Sequence, residues 1–308
     1  MSDARALVIG EALVDVVIRE DGSREEHPGG SPANVALGLA RLGRQADLLT
    51  WLAPDAYGDR VREHLAASGV HVLTGPVHAT TTPVAVAHLD ASGAATYEFD
   101  LEWDLPGTWE GDDVDPVVVH TGSIATTLQP GGEAVARLVQ ARRATSTITY
   151  DPNMRPALMG SPAQTLPVVE ALVATADVIK VSDEDLAWLH PGEAPDEVAA
   201  RWAKAGPAVV VVTHGGEGAF AVTSSGLQVR IVAPRVTVAD TVGAGDSFMS
   251  GLIDGLWTAG LLGADRRAAL HAIDEGTLRA VLDRCARIAA ITVSRAGANP
   301  PTAAEVDA

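Results

Sequence analysis

Four short runs of mostly β-branched residues between residues 117 and 212 constrain the fold more than any other feature. They occupy residues 117–119, 147–150, 177–181 and 209–212, and segments with helical spacing separate them. Strands that are apolar along their whole length have no face for water, which is typical of a parallel sheet covered by helices on both faces. The sequence therefore predicts an α/β fold with a mainly parallel central sheet.

Three further segments lie outside this βα pattern: the first is an apolar run interrupted by one acid, Asp15, and the other two alternate apolar and polar residues. They are residues 13–18, 83–89 and 94–101, and Asp-Ala-Ser-Gly at 90–93 is a turn that joins the last two as a hairpin. We expect them to form a small antiparallel sheet drawn from roughly 12–29 and 72–104. With 308 residues the chain is long enough for one large domain, and we expect residues 1–308 to form it.

The charge of the chain excludes several classes of partner. The formal net charge is −18 at pH 7, so we expect neither nucleic acid nor a membrane surface as partner, since both attract basic proteins. The first residues do not resemble a signal peptide, and no apolar run is long enough to span a bilayer, so we expect a cytoplasmic protein. The one cysteine, Cys285, excludes an internal disulfide, and the nine histidines lack ligand spacing, so we expect no tightly held metal cage.

Residues 240–251 place two glycines, Gly243 and Gly245, directly before a helical pattern, and the apolar residues 232–238 before them predict a strand. The first backbone N–H groups of a helix have no partner within the helix and attract anions. Asp246 then lies where an anion would bind. Alternatively, Asp246 caps the helix. The glycine pair and a second acid, Asp240, favour a functional site, because a cap requires neither.

Two other glycine-loop chemistries do not fit this segment. A Walker loop requires a lysine after its second glycine, and neither Lys180 nor Lys204 follows a glycine. A dinucleotide fingerprint requires a third glycine where this chain has Phe248, which argues against an oxidoreductase.

A second glycine loop opens the helical pattern of residues 34–42. Gly29 and Gly30 would let a small polyol approach the backbone, and Asn34 offers both a donor and an acceptor. The alternative is an ordinary turn with Asn34 as the helix cap.

These two loops resemble the signatures of a known family. Asp-Thr-Val-Gly-Ala-Gly-Asp at 240–246 is similar to the C-terminal signature of the ribokinase-like (pfkB) carbohydrate kinases, and Gly-Gly-Ser-Pro-Ala-Asn-Val-Ala at 29–36 is similar to the N-terminal one. The resemblance covers essentially the whole chain. It implies a ribokinase-like fold with a β-sheet lid, phosphate transfer from ATP to a sugar hydroxyl, Mg²⁺ carried with the nucleotide, K⁺ as a further cation, and a homodimer through the lid.

The resemblance also implies roles for individual residues. Asp246 would be the general base, and the amides of Gly243, Ala244 and Gly245 would stabilise the phosphoryl group. The substrate-binding residues would be Asp15, Gly29, Gly30, Asn34, Arg155 and Asp246, with Arg155 in the segment Asp-Pro-Asn-x-Arg. For Asp15, the residues alone also allow a position on the wet face of a strand.

The nucleotide site is implied in the same way. The expected nucleotide-binding residues are Lys180, Ser182, Asp185, Thr213, Gly215, Gly218 and Gly245. Ser182 and Asp185 stand where the family has Asn and Glu, and helix capping explains them equally well. Asp240 and the backbone at Val242 would hold the monovalent cation, beside the exit of a last long helix at 277–295.

The acceptor is expected to be a neutral sugar, with fructose first. The motifs resemble fructokinases most; 2-keto-3-deoxygluconate kinases and ribokinases are the alternatives, and a catalytically silent sugar-binding paralogue is a further one. Residues 97–103 contain three acids and no arginine, which should repel an anionic acceptor.

Overall fold

The computed structural model describes residues 4–19, 21–73, 75, 77–89, 95–106 and 115–308. The turn expected at 90–93 lies outside these residues. The strands are β1 Arg5–Ile9, β2 Leu13–Arg19, β3 Arg24–Gly29, β4 Gln45–Leu49, β5 His71–Leu73, β6 Val84–Leu89, β7 Ala95–Asp100, β8 Val118–Gly122, β9 Thr147–Asp151, β10 Val178–Ser182, β11 Val209–Thr213, β12 Ala219–Thr223 and β13 Gln228–Ile231.

The α-helices are α1 Ser31–Arg41, α2 Ala56–Ala66, α3 Gly131–Arg142, α4 Pro156–Met159, α5 Pro162–Thr175, α6 Asp183–Leu189, α7 Pro195–Ala203, α8 Ala244–Thr258, α9 Arg267–His271, α10 Glu275–Val293 and α11 Ala303–Val306. Short 3₁₀ helices occur at Ser123–Thr126, Gly215–Glu217 and Ala264–Arg266. None of the described helices is both long and apolar enough to cross a bilayer.

The main sheet is the mostly parallel one that the β-branched runs predict. Among the described residues it has nine strands in the order β13-β12-β11-β10-β9-β8-β1-β4-β5. The pairs from β5 to β11 are parallel, and β12 and β13 add an antiparallel edge. All four predicted runs are strands of this sheet, so their carboxyl ends meet along one edge.

Helices cover both faces of the main sheet and bury two separate apolar cores. Helices α1, α2, α8 and α10 pack on one face. Helices α3, α5, α6 and α7 pack on the other. Neighbouring residues of one strand point to opposite faces: in β11, Val209 and Val211 enter the first core, whereas Val210 and Val212 enter the second. This explains why these strands are apolar throughout.

A second sheet of four strands has the order β3-β2-β6-β7. Its strands fall within the two segments predicted for a lid. The expectation of an antiparallel sheet is wrong for one pair, because β2 and β6 run parallel. The chain leaves this sheet after β3, passes through α1, β4, α2 and β5, and re-enters it in the direction of β2, as a crossover connection requires.

The strand predicted at 232–238 is also absent. Strand β13 ends at Ile231, and the following residues have no regular structure. The valines of this segment do not pack into the core, since Val232 is 82% exposed and Val238 57% exposed. Ala233, Pro234, Val236 and Val238 instead line a cleft. The apolar residues of this segment therefore form part of a cleft wall and not a strand.

Candidate active site

The N-terminus of α8 is open to an anion, as the glycine pair predicts. Gly243 is the N-cap with φ of 75°, and a Cβ there would come within 2.7 Å of the Cβ of Ala298, so the position requires glycine. Within the described part of the chain, the backbone N–H groups of Gly245 and Asp246 have no acceptor. Two donors and the positive end of the helix dipole therefore face the same point.

The carboxylate of Asp246 lies in the first turn of α8 and is held by the first turn of α1. The residue is 8% exposed. Ser31 Oγ donates a hydrogen bond to Asp246 Oδ1 at 2.6 Å, and Asn34 Nδ2 donates to Oδ2 at 2.8 Å. Capping does not explain Asp246, because its side chain makes no cap bond. Nor does Asn34 cap α1, whose N-cap is Gly30.

A cleft of about 540 Å³ lies between the two sheets and contains most of the residues expected to bind the acceptor. Its lining includes Asp15, Gly30, Asn34, Arg155, Gly243, Ala244, Gly245 and Asp246. Gly29 does not line the cleft but borders it, because a Cβ on Gly29 would come 2.2 Å from Asp15 Oδ2. Gly30 has φ of 103°, and a Cβ there would meet the carbonyl oxygen of Glu11.

Three acids, Glu11, Asp15 and Asp246, and one arginine, Arg155, line this cleft. Burial raises the pKa of Glu11 to about 7, with Ser123 and Arg155 among the groups that oppose the shift. Asp15 is exposed because the cleft is open, yet the surrounding protein displaces enough water to raise its pKa to about 6, against the attraction of His27 and Arg155. Arg155 folds over its own loop and donates to Asn153 Oδ1 at 2.8 Å. The acids outnumber the arginine, so the cleft suits a polar molecule that carries no negative charge.

The acids at 97–103 do not line this cleft, so the expected repulsion of an anionic acceptor has no direct contact behind it and stays a prediction. From this segment it is Phe99 and Leu101 that line the cleft. Side chains of a strand alternate between faces, so Glu98 and Asp100 point away when Phe99 points in. Glu102 accepts a hydrogen bond from the backbone N–H of Thr80 at 3.1 Å.

A second cleft of about 580 Å³ meets the first at the N-terminus of α8. Thr241, Ala244 and Gly245 line both clefts. The second cleft has apolar walls from α10, and the residues expected to bind nucleotide at Thr213, Gly215 and Gly218 also line it. A Cβ on Gly218 would come 2.1 Å from the carbonyl oxygen of Ile231, so only glycine fits there.

The other expected nucleotide residues lie below the junction of the clefts and line neither one. Lys180 is buried, with its Nζ 2.7 Å from Asp151 Oδ2 and 2.9 Å from the position of a Cβ on Gly245. Ser182 accepts the N–H of Asp185 at 3.0 Å, and the Asp185 carboxylate accepts that of Met154 at 2.9 Å. Ser182 and Asp185 thus form the capping box of α6, the alternative noted from the sequence.

Asp240 connects the loop before α8 to the loop after α10. Its Oδ1 accepts the N–H of Val242 at 3.0 Å, and its Oδ2 accepts that of Gly297 at 2.8 Å. These two backbone N–H groups lower the pKa of Asp240, so the carboxylate stays ionised at neutral pH.

The structure adds three residues that the sequence interpretation did not select: Ser31, Glu11 and Asp151. Ser31 stands three residues before Asn34 at a helix start, so both face the same side of the first turn. Glu11 follows β1 and Asp151 is the last residue of β9, so both lie at the carboxyl ends of buried parallel strands, where ligands of such sheets bind. Its position at the end of a strand was the sequence signal that could have indicated Asp151. The Asp-Pro-Asn segment was interpreted as a turn instead.

These features define a class of protein: a phosphotransferase with one cleft for a hydroxyl-bearing acceptor and one for its donor, joined at a helix N-terminus beside a carboxylate. The model of the pfkB family carbohydrate kinases matches residues 3–305. A fructokinase from Rhizobium leguminosarum bv. trifolii is 35% identical over 287 residues, which cover 89% of this chain and 85% of that protein. The chain belongs to the pfkB family and is a carbohydrate kinase.

Solved structures agree with the fold. Fructokinase from Xylella fastidiosa with bound ATP superposes with a TM-score of 0.85 at 23% identity, covering 99% of this chain and 97% of that chain. A double mutant of fructokinase from Vibrio cholerae, solved with fructose, ADP and potassium ion, gives a TM-score of 0.78 at 25% identity, covering 96% and 94%. The expected ribokinase-like fold is therefore confirmed.

Proposed function

We propose that this kinase transfers the γ-phosphate of ATP to a hydroxyl of a neutral sugar, with fructose as its acceptor. The observation that carries the proposal is the meeting of two clefts at one point, where Asp246 and the free N–H groups of α8 lie together. The relatives named fructokinase, and those solved with ATP, or with fructose and ADP, support this choice of donor and acceptor.

Asp246 accepts the proton of the attacking hydroxyl. Its two oxygens already accept one hydrogen bond each, from Ser31 and Asn34, and a carboxylate oxygen has a second lone pair for the sugar hydroxyl. These two donors fix the orientation of the carboxylate before the sugar arrives. The N–H groups of Gly245 and Asp246 stabilise the charge that develops on the phosphoryl oxygens, so catalysis is mostly positioning and electrostatics.

The sugar is placed by the residues of the first cleft. The carboxylate of Asp15 accepts sugar hydroxyl protons, Asn34 and Arg155 donate to sugar oxygens, and Gly30 gives the close approach that a Cβ would block. Phe99 of the four-stranded sheet and Leu101, directly after its last strand, contribute to the wall. This sheet therefore acts as the lid of a single kinase domain. A homodimer through this lid and a cytoplasmic location remain predictions from the sequence.

Two cations belong to this proposal. The nucleotide would carry Mg²⁺, which would neutralise its phosphate charge, as binding to a chain with a net charge of −18 requires. The loops of Asp240 and Gly297 would hold a monovalent cation such as K⁺, because an ionised carboxylate connects them. Asp240 and the backbone of Val242 would hold it beside the N-terminus of α8.

A panel of sugars tests the acceptor. ATP consumption should be measured with fructose, ribose, 2-keto-3-deoxygluconate and a phosphosugar at matched concentrations, and fructose should give the highest kcat/KM. Turnover of ribose or of the acid alone would replace fructose as the acceptor. The absence of turnover with every sugar would favour the catalytically silent sugar-binding paralogue.

Replacing the base tests the mechanism. Asp246→Asn keeps the size of the side chain and removes the proton acceptor, so kcat should fall by at least ~10²-fold, the low end for general base catalysis. Fructose binding, measured by calorimetry, should persist. A rate near that of the wild type would remove Asp246 from the chemistry.

A further inference from the structure

A buried ion pair lies directly beneath the phosphate end of the active site. The side chains of Lys180 and Asp151 are 4% and 0% exposed, and Nζ and Oδ2 are 2.7 Å apart. Lys180 contacts Gly245, since a Cβ built on that glycine would lie 2.9 Å from Nζ. The ammonium group therefore lies behind the same helix turn whose N–H groups face the phosphate site.

The surroundings of this lysine are acidic. Burial opposes its charge, but the attraction of Asp151, followed by that of Asp246 and Asp185, outweighs it and raises the pKa of Lys180. Burial raises the pKa of Asp151 to about 7, and Asp185 and Asp246 add to that effect. On the other side, burial and Lys180 lower the pKa of His120 to about 3, so this histidine is neutral. Lys180 is thus attracted by three carboxylates, those of Asp151, Asp246 and Asp185.

We propose that Asp151 is a positioning residue that holds Lys180 beneath Gly245 and keeps its ammonium group away from the catalytic carboxylate of Asp246. This inference rests on the proposed kinase mechanism. In this position the lysine adds positive potential at the phosphate site without blocking the base.

The geometry indicates what happens when Asp151 loses its charge. A buried ammonium group requires a partner, because its desolvation is costly when it is unpaired. Asp185 and Asp246 each accept two hydrogen bonds already, so neither is unpaired. Of the two, Asp246 attracts Lys180 more strongly. Lys180 would then pair with the base and compete with the sugar hydroxyl for its lone pairs.

Three variants and one control test this role. They are Asp151→Asn, Lys180→Met, the double variant and Asp177→Asn. Asp177 is a matched control, because it is a buried aspartate next to the other end of β10 that pairs with Arg267 at 2.6 Å. Each protein should be assayed for kcat and for KM of ATP and fructose, well below its melting temperature, with rates divided by the folded fraction.

The expected order of kcat separates positioning from simple structural support. Asp151→Asn should lower kcat by at least about tenfold, which corresponds to about 1.4 kcal/mol. Lys180→Met should mainly raise the KM of ATP. The double variant should recover kcat to the level of Lys180→Met, because the lysine that blocks the base is gone. Asp177→Asn should lose stability and keep kcat.

A double variant no faster than Asp151→Asn would overturn the inference, as would an Asp151→Asn enzyme with wild-type kcat. If the wild-type protein phosphorylates no sugar, the proposed function fails independently of this result. The crystal structure of Asp151→Asn then decides: Lys180 Nζ within about 4 Å of an Asp246 oxygen, the ion-pair distance, supports the inference, and an unmoved lysine refutes it.

Discussion

At the scale of single residues, the site is organised around the orientation of one carboxylate. Ser31 and Asn34 come from one helix and Asp246 from another, and the two hydrogen bonds between them fix the plane of the carboxylate. A base that is already oriented loses less entropy when the hydroxyl arrives, which favours the transition state over the free enzyme. Ser31 should therefore affect rate more than sugar affinity.

Ser31→Ala tests this expectation. Removing the hydroxyl frees Oδ1 of Asp246, so kcat should fall about threefold to tenfold, the effect of about 0.5–1.5 kcal/mol for one hydrogen bond. The KM of fructose should change less than twofold. Ser146→Ala is the matched control, because Ser146 is also buried and donates to a backbone carbonyl at 2.6 Å, far from Asp246 in the fold. Equal kcat losses in both variants would contradict a positioning role.

The raised pKa of Asp15 predicts that sugar affinity depends on pH. The ionised carboxylate accepts hydroxyl protons, and its pKa is about 6. The Kd of fructose should therefore be constant well above pH 6 and should rise as the pH falls through that value. Calorimetry between pH 5 and 8 measures it. In Asp15→Asn the binding should be weaker, and the rise of Kd as the pH falls through 6 should be absent. A wild-type Kd that does not change with pH would show that Asp15 does not contact the sugar.

Residue identities were only partly predictable from the sequence. The glycine loops pointed to Gly30, Asn34, Gly243 and Asp246 because a turn before a helix has a local signature, and the structure brings these residues together. Asp151 and Ser31 act on residues that are distant in sequence. Their partners become visible only when the parallel strands and the two helices are assembled, so local pattern could not select them.

At the scale of elements, the close approach of α1 and α8 positions the base. Gly38 of α1 packs against Ser250 of α8, and a Cβ on Gly38 would lie 2.4 Å from Ser250 Oγ and 2.8 Å from its Cβ. The two helices can be this close only because Gly38 has no side chain. The same two helices carry Ser31, Asn34 and Asp246 at their N-terminal ends.

Gly38→Ala should separate the two helices. Overpacking of this kind costs about 1–3 kcal/mol of unfolding free energy. It should also lower kcat, because α1 carries the donors that orient Asp246. Ser250→Gly in the Gly38→Ala background removes both clashing atoms and should recover part of the activity. Urea unfolding and steady-state kinetics measure the two effects. A fully stable and active Gly38→Ala enzyme would contradict this account of the helix contact.

Strands were predicted correctly where the apolar residues of a segment pack into a core. The prediction failed where apolar residues line a cleft instead. The four β-branched runs and the hairpin strands Val84–Leu89 and Ala95–Asp100 are strands as expected. The segment 232–238 has the composition of a strand, but Val236 and Val238 line a cleft. The direction of β6 relative to β2 depends on the path of the chain between them, which no local pattern encodes.

At the scale of the whole molecule, a strongly acidic chain binds a polyanion through a few local groups. The net charge is −18, and the donors at the phosphate site are backbone N–H groups with one buried lysine behind them. A carboxyl group buried beside the cleft also affects the stability of the fold. Glu11 is 4% exposed at the end of β1 and accepts the backbone N–H of Ala125 at 3.2 Å. The pH dependence of stability follows from it.

Glu11 should make the protein less stable as the pH rises. Its pKa is 4.5 in the unfolded chain and about 7 in the folded protein, so the folded state binds more protons between these values. Its contribution to stability is complete below pH 4.5 and is lost as the pH rises through 7. The loss amounts to roughly 3 kcal/mol from 1.36 kcal/mol per pKa unit. Glu11→Gln cannot ionise and keeps an acceptor for Ala125, so it should be more stable than the wild type at pH 8.5 by up to this amount and equally stable at pH 4.5. Urea unfolding at both pH values measures the difference, and a gain that is the same at both would exclude ionisation of Glu11 as its cause.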